Sequence, residues 1–403
     1  MKKILIWIIS LILFIMLMPF IGVSADNEGE ENKEQVYDES AEEIEKILQD
    51  EEEKLNTLYN YINKEKLNVE LLNELEPKEY IESYIKNGEG SVSLSKVFKA
   101  VVSLLFKEVG SVLSLAFSII AIAIICTLLK NLQDAFSNKG ISEVAFYACY
   151  AILIIILAKS FLITITIAKD VIETVTNFMQ AILPVLVSMI TLSGGIVEAT
   201  TLDPIVMGAV ILVPKIYTNV IIPLILIWFV LQFTNNLSNE HKIDNMCKMV
   251  KQITMWIQGI VLTVFIGLLT VRGITGSTID AVTLKTTKFA IDNFIPIVGK
   301  AFSDAITSVA AYSLVIKNAV SAIGLVIIIL IIIYPVLKLV LISFIYKITA
   351  ALLEPITDKR ITSCVQAAGD SIIVLLSAVL SVSLMFFVLL AIMAMAGSYI
   401  VGV

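Results

Sequence analysis

The sequence contains a single histidine, His241, and this scarcity excludes most histidine-based catalysis. Zinc sites of the HExxH type need two histidines, and most hydrolytic triads need one beside the nucleophile. His241 itself lies in a polar stretch, 235–244, that is typical of a solvated loop. The chain also lacks a Walker A loop, a GxSxG turn and a GxGxxG turn. We therefore expect no enzyme, no catalytic residue, no cofactor and no metal, although counting aspartates leaves an intramembrane protease open.

Charge and cysteine are scarce as well. Only 16% of residues are charged and 58% are hydrophobic, against about 25% and about 45–50% in soluble domains. The four cysteines are far apart and form no CxxC pair, so neither a disulfide framework nor a zinc site follows. A soluble globular domain, a disordered chain and a nucleic-acid-binding protein are all excluded. Most of the chain is predicted to have lipid as its solvent.

The N-terminal part differs in composition from the rest. Residues 1–25 combine a basic start, an apolar stretch and small residues before Asp26, which predicts a cleavable signal peptide, with an uncleaved anchor as the alternative. Residues 26–90 contain 21 acidic and 7 basic residues and two helical patterns, and they form a predicted extracytoplasmic segment. Its acidity indicates either a solvated face or a docking surface for a basic partner. Residues 91–108 predict an amphipathic interfacial helix.

Residues 109–403 predict an all-α, polytopic membrane domain with seven or eight spans. Seven stretches are long and apolar enough to cross a bilayer. They are Ser111–Leu129, Val144–Ala168, Thr174–Val197, Ile216–Phe233, Gln252–Val271, Asn318–Leu337 and Ser371 to the C-terminus.

The short apolar stretch Pro204–Pro214 decides the topology. Its length and its flanking prolines predict a re-entrant or half-helix, or a short eighth crossing. The eight-span version is preferred, because it places the three long basic loops in the cytoplasm and the C-terminus outside.

Two polar stripes occur inside otherwise apolar sequence. Lys285, Lys288 and Asp292 fall on one face of a helix that is expected to break at Phe294–Pro296. Lys300 and Asp304 then begin a second stripe at helical spacing. Such a pair of helices either lies flat in the headgroup region or lines a polar groove or pore. In the second interpretation these five residues are a candidate polar lining.

A second unusual region, 178–223, combines prolines, a glycine pair and ionisable residues. Discontinuous transporter helices have this composition, so Glu198 and Asp203 are a candidate broken-helix polar site. Lys159 and Lys338 are expected to extend to a membrane interface rather than to bind substrate.

Four motifs resemble the stage III sporulation protein AE family. They are Arg272-Gly-Ile-Thr-Gly276, Lys285 to Lys288 with Phe289, Asn293-Phe-Ile-Pro-Ile-Val-Gly299, and Lys317-Asn-Ala-Val320. The resemblance covers nearly the whole chain, although Ser321 stands where the family commonly has glycine. It implies a mother-cell protein in the membrane around the forespore. It also implies a channel or secretion-like complex with other membrane and extracytoplasmic subunits, needed for late forespore gene expression. Because no nucleotide site is present in this sequence, an ATPase would have to be a separate subunit if one is needed.

Three functional hypotheses therefore stand. The first is a non-enzymatic membrane subunit of this channel complex. The second is an autonomous permease with its site near Glu198 and Asp203. The third is a non-conducting assembly platform that recruits partners through the acidic segment.

Overall fold

A computed structural model describes residues 52–67, 69–87, 94–135, 139–237, 243–294 and 299–396. Residues 53 onwards belong to one compact unit. The described residues are overwhelmingly helical and contain no strand, which confirms the all-α prediction. The predicted signal peptide and the start of the acidic segment lie outside the described residues.

Nine α-helices make up the described chain. The N-terminal segment contains α1 (residues 52–65), a 3₁₀-helix (Glu70–Glu74) and α2 (Pro77–Asn87). The remaining helices are α3 (Leu94–Ala135), α4 (Lys139–Leu192), α5 (Ile196–Ile216), α6 (Ile222–Leu237), α7 (Asp244–Phe294), α8 (Gly299–Leu353) and α9 (Lys359–Met395).

Six helical stretches among the described residues are long and apolar enough to cross a membrane. They are Ser95–Leu129, Tyr147–Leu192, Val206–Asn236, Asp244–Thr270, Thr307–Leu353 and Lys359–Met395. The polytopic prediction is thus supported, but with six such helices rather than seven or eight spans. The predicted interfacial helix also continues directly into the first of them within α3.

The first cause of the lower number is α4. Two predicted spans, Val144–Ala168 and Thr174–Val197, lie largely within this one helix. The charged residues between them, Lys169, Asp170 and Glu173, suggested a connecting loop, but no helix breaker is present. Instead, these side chains lie exposed on one face, while their neighbours on the opposite face are buried.

The second cause is the proline-containing stretch, which does not interrupt the helix. Pro204 and Pro214 both lie inside α5, and a π-turn at Tyr217–Ile221 joins α5 directly to α6. A proline removes one backbone hydrogen bond, and an adjacent wide turn can absorb the resulting kink. Thr218 also donates its hydroxyl to the carbonyl of Pro214 at 2.9 Å. The predicted half-helix or eighth crossing is therefore wrong.

The break in this region lies earlier, between α4 and α5. Gly194 has φ of 95°, a left-handed conformation that favours glycine, and it allows the chain to reverse within three residues. Near the start of α4 and the end of α6, side-chain contacts link different helices. Tyr150 of α4 contacts the thiol of Cys364 in α9, and Asn235 near the end of α6 donates to Asp244 of α7.

Candidate functional site: an acidic cavity beside the helix bundle

A cavity of about 630 Å³ lies where the N-terminal segment meets α3, α4 and α8. Glu65, Val69, Glu70 and Leu71 contribute to its wall from the N-terminal segment. The other lining residues come from the long helices: Leu104, Lys107, Glu108, Ile167, Asp170, Val171, Glu173, Thr174, Asn177, Ile331, Tyr334 and Pro335. Most of these are polar, which is unusual beside helices as apolar as α4 and α8.

Glu108 is the central polar residue of this cavity wall. Its Oε1 accepts a hydrogen bond from the Tyr334 hydroxyl at 2.6 Å and another from the Lys338 ammonium at 2.9 Å. The side chains of Glu108 and Lys338 are only 17% and 24% exposed. Because the pair is largely shielded from water, its attraction is screened less than that of a surface ion pair. The three side chains therefore connect α3 to α8.

Local sequence explains why α8 presents these groups. Tyr334 and Lys338 are four residues apart and so lie on one face of the helix. Pro335 lies between them and has no N–H to donate to the carbonyl of Ile331 one turn earlier. Both Pro335 and Ile331 line the cavity. The ammonium of Lys338 also lies 5.8 Å from the centre of the Tyr334 ring.

The charge of the cavity is strongly negative. Five lining residues carry carboxylates, namely Glu65, Glu70, Glu108, Asp170 and Glu173, against one lining lysine, Lys107. The lining contains no histidine or cysteine, and no group of three potential metal ligands occurs among the described residues. Such a wall attracts cationic groups and repels anions.

The predicted polar lining is split between two helix ends. Lys285, Lys288 and Asp292 lie near the C-terminal end of α7, and Lys300 and Asp304 lie at the start of α8. The helix ends at Phe294, as the sequence predicted, and the next begins at Gly299. The side chains of these five residues lie outside the described set, so their lining role stays a prediction.

The second predicted site lies on a continuous helix. Glu198 and Asp203 both belong to α5, one and two turns after the Gly194 reversal. Their side chains are also outside the described set. The expected discontinuity around them is limited to the α4–α5 connection.

Sequence reasoning missed Glu108 and the role of Lys338. Lys338 was expected to extend to an interface, but it pairs with a carboxylate on another helix. One signal could have indicated this, since an ammonium within so apolar a helix needs a partner. In α3, the acidic residue closest to the uncharged stretch is Glu108, three residues before that stretch begins.

A second buried cation lies elsewhere in the bundle. Lys317 of α8 is fully buried, and its ammonium donates to the carbonyl of Ala394 at 2.8 Å and to that of Ala396. These carbonyls lie at the C-terminal end of α9, where backbone acceptors lack helical partners and the helix dipole is negative. Lys317 thus caps the last helix.

These features define a polytopic α-helical membrane protein with an acidic cavity at one side of its bundle. A family model described as stage III sporulation protein AE matches residues 75–397. A curated relative, stage III sporulation protein AE of Bacillus subtilis (strain 168), is 33% identical over 312 residues, which is 77% of this chain and 78% of the relative. The chain belongs to the stage III sporulation protein AE family, as its motifs indicated. No solved structure matches it.

Proposed function

We propose that the protein is a multi-pass membrane subunit of a channel or secretion-like complex that connects the mother cell with the forespore. Family membership supports a role in sporulation, and six apolar helices support a location in a membrane. In this proposal the protein resides in the mother-cell-derived membrane around the forespore, and the N-terminal segment lies outside the cytoplasm. The complex is needed for late forespore gene expression.

One observation carries the choice of a channel subunit. The five predicted lining residues lie on two helix ends that only four residues separate. Because only four residues join them, the two helix ends are near each other in space. Ionised groups are costly in lipid and are tolerated where they meet protein or water. The α7–α8 ends are therefore our candidate for the polar lining of the passage.

The proposed partners are the other membrane and extracytoplasmic subunits of the complex. The acidic N-terminal segment is the candidate contact for a basic partner, because the described part of it keeps an exposed, charged outer face. A separate ATPase subunit would supply energy where it is needed. No enzymatic activity is proposed for this chain.

The test of the lining is the double substitution Lys300→Ala with Asp304→Ala, which removes two opposite charges and leaves the net charge unchanged. We expect a loss of heat-resistant spores with a normal level of the protein in the membrane. The matched control is Glu354→Ala with Lys359→Ala, two exposed residues that lie just after α8 and at the start of α9. Wild-type spore counts from the Lys300/Asp304 variant would contradict the lining role.

The two alternatives make different predictions. An autonomous permease acting near Glu198 and Asp203 would transport substrate in vesicles that contain only this purified protein, whereas a channel subunit would not. A non-conducting assembly platform would tolerate the Lys300/Asp304 substitution, but deletion of residues 26–90 would abolish recruitment of its partners. Flux assays and co-purification of partners distinguish these cases.

A further inference from the structure

The helix α4 is much longer than a bilayer is thick. Its 54 residues correspond to about 81 Å, against about 30 Å of hydrocarbon in a membrane. Transmembrane helices tilt by about 20° on average, which does not close this gap. Part of α4 must therefore lie outside the hydrocarbon, although nearly all of it is apolar enough to be read as a span.

The exposed face of α4 changes character along its length. In the first half, the large exposed side chains are apolar apart from Lys159: Val144, Tyr147, Ile152, Ile155, Leu162 and Ile163. After Ile163, no large hydrophobic side chain of α4 is exposed. The exposed residues of this second half include Lys169, Asp170, Glu173, Asn177, Gln180 and Thr191, and three of them, Asp170, Glu173 and Asn177, also line the acidic cavity. The second half is nevertheless apolar overall, because its hydrophobic residues face the protein interior.

The polar face is too long to be an isolated defect in a lipid-facing surface. From Thr166 to Thr191 the exposed residues are polar apart from Pro184, and they extend over about 38 Å, more than the hydrocarbon thickness. Lysine can reach a nearby interface with its long side chain, and Lys159 lies only about 10 Å before Thr166. Asp170, Glu173, Asn177 and Gln180 have shorter side chains and cannot do so.

The helix packed against this half of α4 also has a polar surface. Lys54 of α1 donates to Ser188 of α4 at 2.9 Å, so the N-terminal segment lies against the second half. The exposed face of α1 includes Asn56, Asn60 and Lys64. A helix with such a surface is unstable in hydrocarbon, where polar side chains lose their hydrogen bonds to water.

We propose that the edge of the bilayer crosses α4 between Ile163 and Lys169. Before this edge, α4 contacts acyl chains. Beyond it, the second half of α4 and the N-terminal segment lie outside the bilayer and are surrounded by bulk water. Glu108 and the acidic cavity then lie at the level of the lipid headgroups. This placement is independent of the channel role, because it concerns only which surfaces meet lipid and which meet water.

The test uses the full-length protein in lipid nanodiscs, in which both membrane faces are accessible. The four native cysteines are replaced by alanine or serine, and single cysteines are introduced as Asn177→Cys or Gln180→Cys. The matched controls in the lipid-facing half are Ile155→Cys and Leu162→Cys. Each variant is treated with a bulky polyethylene-glycol maleimide and, separately, with a small charged maleimide. Labelling after denaturation gives the total.

We expect both reagents to label position 180 to completion, at least the small reagent to label position 177, which lines the cavity, and neither reagent to label positions 155 and 162. Labelling of 177 and 180 by the small reagent alone would overturn the proposal and assign this face to a narrow aqueous passage. Failure of both reagents there would also overturn it, because the face would then be covered by lipid or protein. A variant that is not monodisperse in the nanodisc is replaced by the cysteine at the other position of the same half.

Discussion

The ammonium of Lys317 lies 2.8 Å from the carbonyl oxygen of Ala394, 77 residues later in the chain. This bond joins the interior of α8 to the C-terminal end of α9. A fully buried lysine is rare in proteins, and it is tolerated here because the last carbonyl oxygens of a helix accept hydrogen bonds from its ammonium group. Lys317 also begins one of the motifs by which the family was recognised.

Replacing this lysine by methionine tests its capping role. Lys317→Met keeps much of the side-chain volume but removes the donor, so the carbonyls of Ala394 and Ala396 lose a partner. We expect the free energy of unfolding to fall by about 1.5–3 kcal/mol. The measurement is the thermal stability of the purified protein in detergent. Lys169→Met, at an exposed site on α4, is the control and should shift stability little. Equal stability of both variants would contradict a capping role.

The contact between Glu108 and Lys338 can be tested by a double-mutant cycle. Glu108→Gln and Lys338→Met are made singly and together, and the coupling is the departure from additivity. We expect about 1 kcal/mol, because the pair is mostly shielded but still open to the cavity. The Lys66–Glu76 pair, in which Glu76 is 62% exposed, is the control, with a coupling of a few tenths of a kcal/mol. A coupling no larger than that of the control would mean that Glu108 does not hold α8 through Lys338.

Close packing of α8 and α9 depends on Gly369. A Cβ atom at this position would lie 3.3 Å from the backbone oxygen of Ser343, which cannot move without shifting α8. We expect Gly369→Val to lower stability by about 1–3 kcal/mol. Gly259→Val is matched to it, since Gly259 is also helical but has open space around it. The difference in melting temperature between the two variants is the measurement, and similar values would show that the helices tolerate separation.

Docking of α1 depends on Leu58 and Ile62, each only 1% exposed. Ile62→Ala removes buried methyl groups from this contact, which is expected to cost about 2–4 kcal/mol. Because the N-terminal segment is small, we expect it to loosen locally, with faster tryptic cleavage at Lys64 and Lys66. Asn63→Ala, at an exposed neighbour, should leave the rate of cleavage unchanged. Unchanged cleavage of the Ile62 variant would indicate that other contacts hold the segment.

The helical fold and its membrane character follow from the sequence because long apolar stretches indicate that lipid surrounds most of the chain. The number of crossing helices does not follow as easily. Lys169, Asp170 and Glu173 resemble a loop in a linear profile, yet a long helix accommodates them on its exposed face. Likewise Pro204 and Pro214 resemble helix ends, but a proline costs only one hydrogen bond and the π-turn after Pro214 accommodates the kink.

The cavity was harder to predict than the helices. Glu108 and Lys338 are 230 residues apart, and nothing in their local sequence pairs them. A search for ionised residues without a local partner would have selected Lys338, but the choice of Glu108 depends on which helices are neighbours. The α7–α8 stripes, in contrast, were visible because their spacing is local, and the helix boundaries at Phe294 and Gly299 agree with that prediction.

Six apolar helices are an even number. If each crosses once, residue 396 lies on the same side of the membrane as the segment that starts near residue 53. A reporter fused after residue 396 would then be detected on the same side of the membrane as the N-terminal segment. A subunit that contacts both the N-terminal segment and residue 396 could do so from one side of the membrane.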